Sequence, residues 1–238
     1  MTLPTKTGGL RIASYNVRKA VGLDRRRDPR RILDVIAGLD ADVVALQEAD
    51  LRLGARPSAF DAREILERTG MRPLPVSTEG PSMGWHGNAV LVRDGVTLLD
   101  AERLVLPALE PRGAVLTHLE TTEGGLLLVG THLGLTRRFR RRQAEAIRAA
   151  LEARDEEAAV VMGDFNEWRS VGGLDPFLRD FSLHSPGRSF HASRPVAALD
   201  RIALSPQVTL NRAGVVETPL ARRASDHLPV WADISLAG

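Results

Sequence analysis

A short segment in the second half of the chain combines an apolar run with polar side chains at its end. Residues 160–168 read VVMGDFNEW, so an apolar run precedes Gly163, Asp164 and Asn166. A tight turn accounts for this composition, because Gly, Asp and Asn tolerate or stabilise bent backbone. The alternative is a site, because ligands of sheet proteins bind beyond the carboxyl ends of strands, and residues two apart face the same side. The rest of the sequence must separate the two interpretations.

Other polar residues lie at the ends of predicted strands. Each has an ordinary explanation: His132 as a hydrogen-bonded core histidine, for example, or Asp200 as a surface ion pair with Arg201. Burying carboxylates is costly, however, unless they are paired or bound to metal. This cost argues against explaining each of these polar residues separately. The residues concerned are Asn16, Glu48, Asn88, His132, Asp164, Asn166, Asp200, Asp226 and His227.

A cluster of the acidic members would require a cation. Two carboxylates ~4 Å apart repel by ~4 kcal/mol at an effective dielectric constant of ~20, so Glu48, Asp164 and Asp226 could not share a pocket unneutralised. The donors offered are oxygens, and the chain contains no cysteine. Oxygen donors suit Mg²⁺, with Mn²⁺ as a substitute, far better than a structural zinc ion.

Composition restricts the class of protein. The 238 residues are 43% apolar and only 4% aromatic, which predicts a large core built from Val, Leu, Ile and Ala. The absence of cysteine fits a reducing compartment, and neither a secretory signal nor a membrane-length apolar run is present. We therefore expect a cytoplasmic protein with no transmembrane segment, and nothing implies an obligate protein partner.

Arginine supplies almost all of the positive charge, because Lys6 and Lys19 are the only lysines. The arginines are concentrated in DRRRDPRR (24–31) and RRFRRRQ (137–143). Guanidinium groups suit bidentate contact with phosphate, although a solvated helix start explains the second cluster equally well.

The chain that positions these residues is rich in strands. Asp28 and Pro29 predict the N-cap and first residue of a helix that ends at Gly38. Further helices are predicted over 58–69 and from Thr136 through 154, and the prolines of 71–76 indicate an edge segment. Strands are predicted over 10–16, 42–48, 87–93, 96–106, 112–120, 125–133, 158–164, 199–205, 208–217 and 225–236. This order favours two packed sheets covered outside by helices. His184 has no motif support and is predicted to lie in a loop.

Seven segments, taken in order, resemble the motifs of the endonuclease/exonuclease/phosphatase superfamily. They are ASYNVRK, DVVALQE, GNAVLVR, GTHLG with its following helix, VVMGDFN, LDRI and SDHLPV. The superfamily includes pancreatic-type DNases, abasic-site endonucleases, sphingomyelinases and inositol polyphosphate phosphatases. The resemblance implies an α+β fold, a four-layered α/β/β/α sandwich of two mixed sheets with helices outside. A single catalytic domain over 10–236 would follow an N-terminal tail over 1–9.

The resemblance also implies roles for the polar residues in a Mg²⁺-dependent phosphodiester hydrolysis. Glu48 would be the main metal ligand, with Asn16 and Asp226 beside it. Asp164 and Asn166 would position the attacking water and a phosphate oxygen. Asp200 would orient His227, and His132 would protonate the leaving oxygen or hold the phosphate. Phosphate-binding residues would be Asn88, Arg112, Asn166 and His227.

General chemistry agrees with these roles. In-line attack needs an activated water, neutralisation of the equatorial oxygens and help for the departing oxygen. Asp164 can accept a proton, and the neutral Asn166 can fix geometry without repelling phosphate. A carboxylate such as Asp200 sets the tautomer of a neighbouring histidine and favours its cationic form. With asparagine at 166, one strongly held metal ion is expected.

The sequence leaves three functions open. Nucleic acid is the favoured substrate, because Arg137, Arg138, Arg140, Arg141 and Arg142 follow His132 closely. A phospholipase or sphingomyelinase-type enzyme would need an apolar rim, for which GPSMGW (80–85) is the candidate. A catalytically inactive phosphate-binding module is the third, although this chain retains Glu48, Asp164 and His227.

Overall fold

The computed structural model describes residues 3–6, 8–51, 54–77, 80–108, 110–154, 158–170 and 172–237. Within these ranges, the strands form two mixed sheets of six strands each. The first sheet contains β1 (Leu10–Asn16), β2 (Val43–Gln47), β3 (Met71–Pro73), β4 (Ala89–Arg93), β11 (Val208–Val215) and β12 (Val230–Leu236). The second contains β5 (Thr97–Val105), β6 (Gly113–Thr121), β7 (Gly124–His132), β8 (Ala159–Asp164), β9 (Ser182–His184) and β10 (Asp200–Leu204).

The central strands of both sheets carry motifs that the sequence analysis identified. The first sheet runs β11-β12-β1-β2-β4-β3, and the second runs β5-β6-β7-β8-β10-β9. In each sheet one central pair is parallel, β1 with β2 and β7 with β8. All other pairs are antiparallel.

The described residues also form four α-helices: α1 (Pro29–Ala37), α2 (Ala62–Thr69), α3 (Arg137–Glu152) and the four-residue α4 (Ala221–Ala224). Asp28 caps α1 through a hydrogen bond from the Arg31 amide, with Pro29 at the first position, as predicted. No helix in these ranges is both long and apolar enough to cross a membrane.

Apolar side chains divide into three clusters that define the layers. Alternate residues of β1 separate accordingly, since Ile12 faces the other sheet while Tyr15 lies under α1. The middle cluster joins Ile12 to strands of the second sheet, for example through Val160 and Ile202. A third cluster packs α3, through Ile147, on the outer face of that sheet. The predicted α/β/β/α sandwich is confirmed.

Three local predictions were wrong. The last strand was predicted over 225–236, but it begins only at Val230, after Pro229, which has no amide hydrogen to donate to a sheet. The helix predicted over 58–69 begins only at Ala62, because Asp61 caps it by accepting hydrogen bonds from the Arg63 and Glu64 amides. His184 was predicted to lie in a loop, but it ends strand β9 and pairs with Ile202.

The predicted N-terminal tail is partly attached to the first sheet. Arg11 donates a hydrogen bond to the carbonyl of Pro4 at 2.8 Å, and Lys6 forms an ion pair with Asp42. Residues 3–6 therefore contact the domain, although they belong to no strand.

Candidate active site

Strand register brings polar residues of both sheets to one end of the sandwich. In the first sheet, Asn16 pairs with Gln47, so Glu48 leaves β2 at the level where β1 ends. The antiparallel β12 begins at that end, which places the preceding Asp226 and His227 there. In the second sheet, His132, Asp164 and Asp200 stand in one register across β7, β8 and β10.

Asp164 lies at the centre of this group and is buried. Its Oδ2 accepts a hydrogen bond from Nδ2 of Asn16 at 3.0 Å, across the gap between the sheets. The same oxygen lies 3.3 Å from Nε2 of His132 and 3.5 Å from Nε2 of His227. The other oxygen, Oδ1, accepts a hydrogen bond from the Asn166 amide at 2.9 Å. One carboxylate therefore contacts four of the predicted site residues.

Backbone conformation around Asp164 explains part of the GDFN motif. Gly163 has φ of 154°, and a Cβ there would lie 1.8 Å from the carbonyl oxygen of Thr131, so only glycine fits. Asn166 and Glu48 have φ of 51° and 54°, in the left-handed region that non-glycine residues seldom occupy. Such conformations concentrate at functional sites, where the surrounding structure holds them. The segment therefore bends as the turn interpretation predicts, and it brings Asp164 and Asn166 next to the other predicted site residues.

His227 is held between two carboxylates. Its Nδ1 lies 2.8 Å from Oδ2 of Asp200, and that oxygen also accepts a hydrogen bond from Ser189 at 2.5 Å. Burial alone lowers the pKa of His227, but the charges of Asp200 and Asp164 outweigh it and raise the pKa to about 10. His227 is therefore an imidazolium at neutral pH. The alternative ion pair of Asp200 with Arg201 is wrong, because Arg201 donates to the carbonyls of 167, 169 and 170.

Three of these side chains also lie close enough together to hold a metal ion. Ligand atoms of Asp164, Asp200 and His227 fall within 4.8 Å of one another, a group that excludes the predicted ligand Glu48. An imidazolium has no lone pair for a metal, and both nitrogens of His227 face carboxylates. The charge of His227 already compensates this pair of carboxylates. The group is better described as a hydrogen-bonded ion cluster than as a metal site.

The three predicted metal ligands meet around a different segment, residues 18–19. Asn16 accepts a hydrogen bond from the Arg18 amide at 3.1 Å, and the Arg18 guanidinium lies 3.3 Å from Asp226. The ammonium of Lys19 forms an ion pair with Glu48. Ser225 joins the group by donating a hydrogen bond to the carbonyl of Asn16 at 2.7 Å. Both carboxylates are half-buried and face a cation of the chain.

A cleft of about 520 Å³ opens beside this segment, and we call it the Glu48 cleft. His132 and Arg112 line it together with Glu48, which places the predicted phosphate-binding arginine next to the site. His86 is also in the cleft, where Arg56 lies 2.9 Å from its Nδ1. Burial and the charge of Arg56 lower the pKa of His86, so it is neutral at pH 7.

Two predicted phosphate-binding amides are already engaged. Nδ2 of Asn88 donates to the carbonyls of Trp85 and Gly113, at 3.2 and 2.9 Å. It therefore connects β4 to the start of β6, next to Arg112. Nδ2 of Asn166 likewise donates to the carbonyl of Leu133 at 2.9 Å. In this arrangement the Asn88 bonds fix backbone around the cleft.

Some residues of the site had not been predicted from sequence. Ser189 carries no catalytic signature in SFHASRP, and only its hydrogen bond to Asp200 reveals it. Arg18 and Lys19 follow Asn16 by two and three residues, so a cation close in sequence to a predicted metal ligand was the available signal. Arg140 had been grouped with solvent-facing arginines, but it is buried and forms an ion pair with Glu167 at 2.7 Å.

Known proteins resemble this chain along nearly its whole length. YbhP of Escherichia coli K12, an uncharacterised protein, is 26% identical over 98% of each chain. The mannosyl-6-phosphatase Bt3783 of Bacteroides thetaiotaomicron is 20% identical and covers 95% of this chain and all of its own, with a TM-score of 0.75. D. rerio TDP2, solved with a single-strand DNA product, is more distant in shape: it is 18% identical, covers 95% of this chain and 98% of its own, and has a TM-score of 0.67.

At these identities the structural neighbours establish the fold. The family is established by a sequence model, described as Endonuclease/Exonuclease/phosphatase family, which matches residues 13–227. That span contains every predicted site residue, from Asn16 to His227. The predicted resemblance is confirmed, and this chain belongs to the endonuclease/exonuclease/phosphatase family.

Proposed function

We propose that this protein hydrolyses a phosphodiester by in-line attack of water, with a divalent metal ion, Mg²⁺ or Mn²⁺, as cofactor. The observation that carries the proposal is the position of Asp164. It is a buried carboxylate contacted by Asn16 from one sheet and His132 from the other, with the imidazolium His227 beside it. Membership of a family of phosphohydrolases supports this reaction class.

The residues around the Glu48 cleft fit a hard cation. Glu48, Asp226 and the Oδ1 of Asn16 offer only oxygen, which suits Mg²⁺. In this structure Lys19 forms an ion pair with Glu48, and Arg18 forms one with Asp226. Each carboxylate therefore already faces a positive charge. When bound, the ion would neutralise charge on the phosphate and help to activate water.

The remaining steps belong to side chains of the chain. Asp164 accepts the proton of the attacking water, and Asn166 holds the water and a phosphate oxygen in line. The imidazolium of His227 and the guanidinium of Arg112 neutralise the phosphate oxygens. Together with Asp200, which keeps His227 charged, they stabilise the charge that develops during attack. His132 protonates the leaving oxygen or holds the phosphate.

Nucleic acid remains the substrate class that we propose. Arg137, Arg138 and Arg142 are exposed in the first turns of α3, five, six and ten residues beyond His132, whereas Arg140 is buried. TDP2, a structural neighbour, was solved with a DNA product. The lipid alternative loses its candidate rim, because Met83 and Trp85 of GPSMGW pack against the core clusters.

The test compares esters and a single isosteric variant. We expect the purified protein to hydrolyse bis(p-nitrophenyl) phosphate and single-stranded oligonucleotides with Mg²⁺, and to stop in EDTA. Asp164→Asn should lose about 100-fold or more in kcat, since general-base catalysis contributes about 10²–10⁴-fold. Asp94→Asn, an exposed carboxylate in the turn after β4, is the matched control and should retain full activity.

Three results would contradict the proposal. If the protein hydrolysed p-nitrophenyl phosphate but none of the diesters, it would be a phosphomonoesterase, the activity that the name of Bt3783 implies for that neighbour. Unchanged turnover in Asp164→Asn would remove the central residue. Absence of turnover with every metal and ester would leave a phosphate-binding module.

A further inference from the structure

An aromatic side chain is exposed beside the candidate active site. Trp168 is 65% exposed, although aromatic residues make up only 4% of the sequence. The other large apolar side chains that are exposed in the described residues are all aliphatic: Leu66, Leu99, Val105, Leu135, Leu178, Val196 and Leu220. Single exposed apolar residues are ordinary on protein surfaces, but Trp168 differs from these because its ring contacts a second aromatic ring next to the candidate site.

The indole rests on a fixed support. Its ring meets that of Phe190 edge to face, with centroids 6.0 Å apart and an interplanar angle of 81°. Glu167, the preceding residue, is buried and accepts hydrogen bonds from Arg140 at 2.7 Å and from the Gly173 amide at 3.0 Å. Trp168 is therefore presented to solvent from an ordered base, and a ligand stacking on it would lose little side-chain entropy.

The same rings lead directly into the site. The Phe190 ring lies 5.0 Å from the His227 ring, and Nε2 of His227 lies 3.5 Å from Asp164. Trp168 also follows Asn166 by two residues. His227 thus stands between the aromatic pair and the carboxylate, and a phosphate held at His227 would bring its substituent close to Phe190 and Trp168.

We propose that Trp168 and Phe190 form a stacking surface for a nucleobase of the phosphodiester that the site cleaves. This rests on the proposed function and specifies its substrate. A base needs only a π-face to stack, whatever its sequence. A sugar ring is held mainly through hydrogen bonds to its hydroxyls, whereas this surface offers two aromatic rings. Beside them lie Val196, which is 56% exposed and whose amide donates to the Phe190 carbonyl at 2.7 Å, and the ring of His191, with its centroid 5.4 Å from that of Phe190.

The test uses two oligonucleotides with identical phosphates. One is a deoxyadenylate tetramer, and the other is its abasic counterpart with tetrahydrofuran units. We expect the wild type to show a KM about tenfold lower for the tetramer with bases, because one stacked base contributes a factor of about this size. Trp168→Ala should abolish that preference, and Trp168→Phe should retain most of it. Leu99→Ala, an exposed apolar residue on β5, is the control.

A binding measurement separates this inference from the proposed function. In EDTA, the tetramer with bases should quench the tryptophan fluorescence of the wild type but not that of Trp168→Phe. The abasic tetramer should quench neither. Hydrolysis of both tetramers with equal KM would overturn the stacking surface and leave the phosphodiesterase standing. Quenching without any hydrolysis would support the surface and contradict the proposed function. Quenching by mannose 6-phosphate in place of the tetramer would assign the surface to sugars and overturn the inference.

Discussion

Asp200 begins β10 of the second sheet and His227 lies just before β12 of the first, yet Oδ2 of Asp200 lies 2.8 Å from Nδ1 of His227. Both side chains are buried, and Ser189 donates a hydrogen bond to the same carboxylate oxygen. Buried charged pairs of this kind are strong only when the geometry is good and further hydrogen bonds satisfy them. The pair therefore both closes the end of the sandwich and keeps His227 charged.

Replacing Asp200 should remove that charge without removing volume. We expect Asp200→Asn to lower kcat of diester hydrolysis by about 100-fold, because the imidazole loses the carboxylate that favours its cationic form. Ser189→Ala should have a smaller effect in the same direction. Steady-state kinetics at pH 7 measure both, with Asp94→Asn as the control. Equal kcat values for wild type and Asp200→Asn would show that His227 acts without its partner.

The pH dependence of stability provides an independent test of the charge on His227. Its pKa is raised from 6.5 to about 10 on folding, so the folded protein retains a proton that the unfolded chain releases above pH 6.5. This contribution is complete below pH 6.5 and is lost as pH rises towards 10. We expect the urea midpoint of the metal-free protein to fall between pH 7 and 9, and to fall less in His227→Gln. Parallel curves for the two proteins would contradict the shifted pKa.

Arg140 should matter for stability rather than for substrate. Its guanidinium binds Glu167 and the carbonyls of Gly134 and Leu135, and both members of the ion pair are buried. Arg140→Ala leaves a buried carboxylate without a partner, a change that costs about 3–5 kcal/mol of unfolding free energy. Arg138→Ala, exposed on the same helix, should change it by less than about 0.5 kcal/mol. Urea unfolding distinguishes the two, and similar values would show that Arg140 is solvated in solution.

Much of the site follows from strand periodicity. Alternation predicts the ends of β1, β2 and β8. Parallel pairing then brings Asn16 beside Glu48 in the first sheet, and His132 beside Asp164 in the second. Contacts between distant segments could not be predicted in this way. Ser189 lies in a loop whose path depends on tertiary packing, and the exposure of Trp168 has no signature in its own segment.

The helix and histidine errors have related causes. The amphipathic pattern begins at residue 58, before Asp61, which accepts hydrogen bonds from the first amide groups of α2. The cap therefore sets the start of the helix, and the pattern does not. His184 is polar and half-buried on the edge strand β9, which has three residues and too little alternation to recognise. Arg140 was misjudged because its buried partner, Glu167, is 27 residues away.

Salt dependence can decide whether the exposed arginines of α3 contact nucleic acid. Each phosphate contact contributes about −0.7 to the slope of log K against log salt concentration for a single strand. The variant Arg137→Ala/Arg138→Ala/Arg142→Ala should therefore have a slope less steep by about 2. Arg63→Ala, an exposed arginine on α2, should leave it unchanged. Oligonucleotide titrations in EDTA at several salt concentrations measure this, and identical slopes would remove these arginines from the binding surface.

Lys19 should compete with the metal ion for Glu48. Its ammonium pairs with that carboxylate, and both side chains are about one-fifth exposed or less. An ion pair of this exposure contributes up to ~1 kcal/mol, so Lys19→Gln should lower the Mg²⁺ concentration for half-maximal activity by about fivefold. Lys6→Gln is the matched control, because Lys6 is the other lysine of the chain. It pairs with Asp42 near the start of β1, whereas the candidate site lies where β1 ends. An unchanged Mg²⁺ requirement, together with a higher KM, would instead place Lys19 on the substrate phosphate.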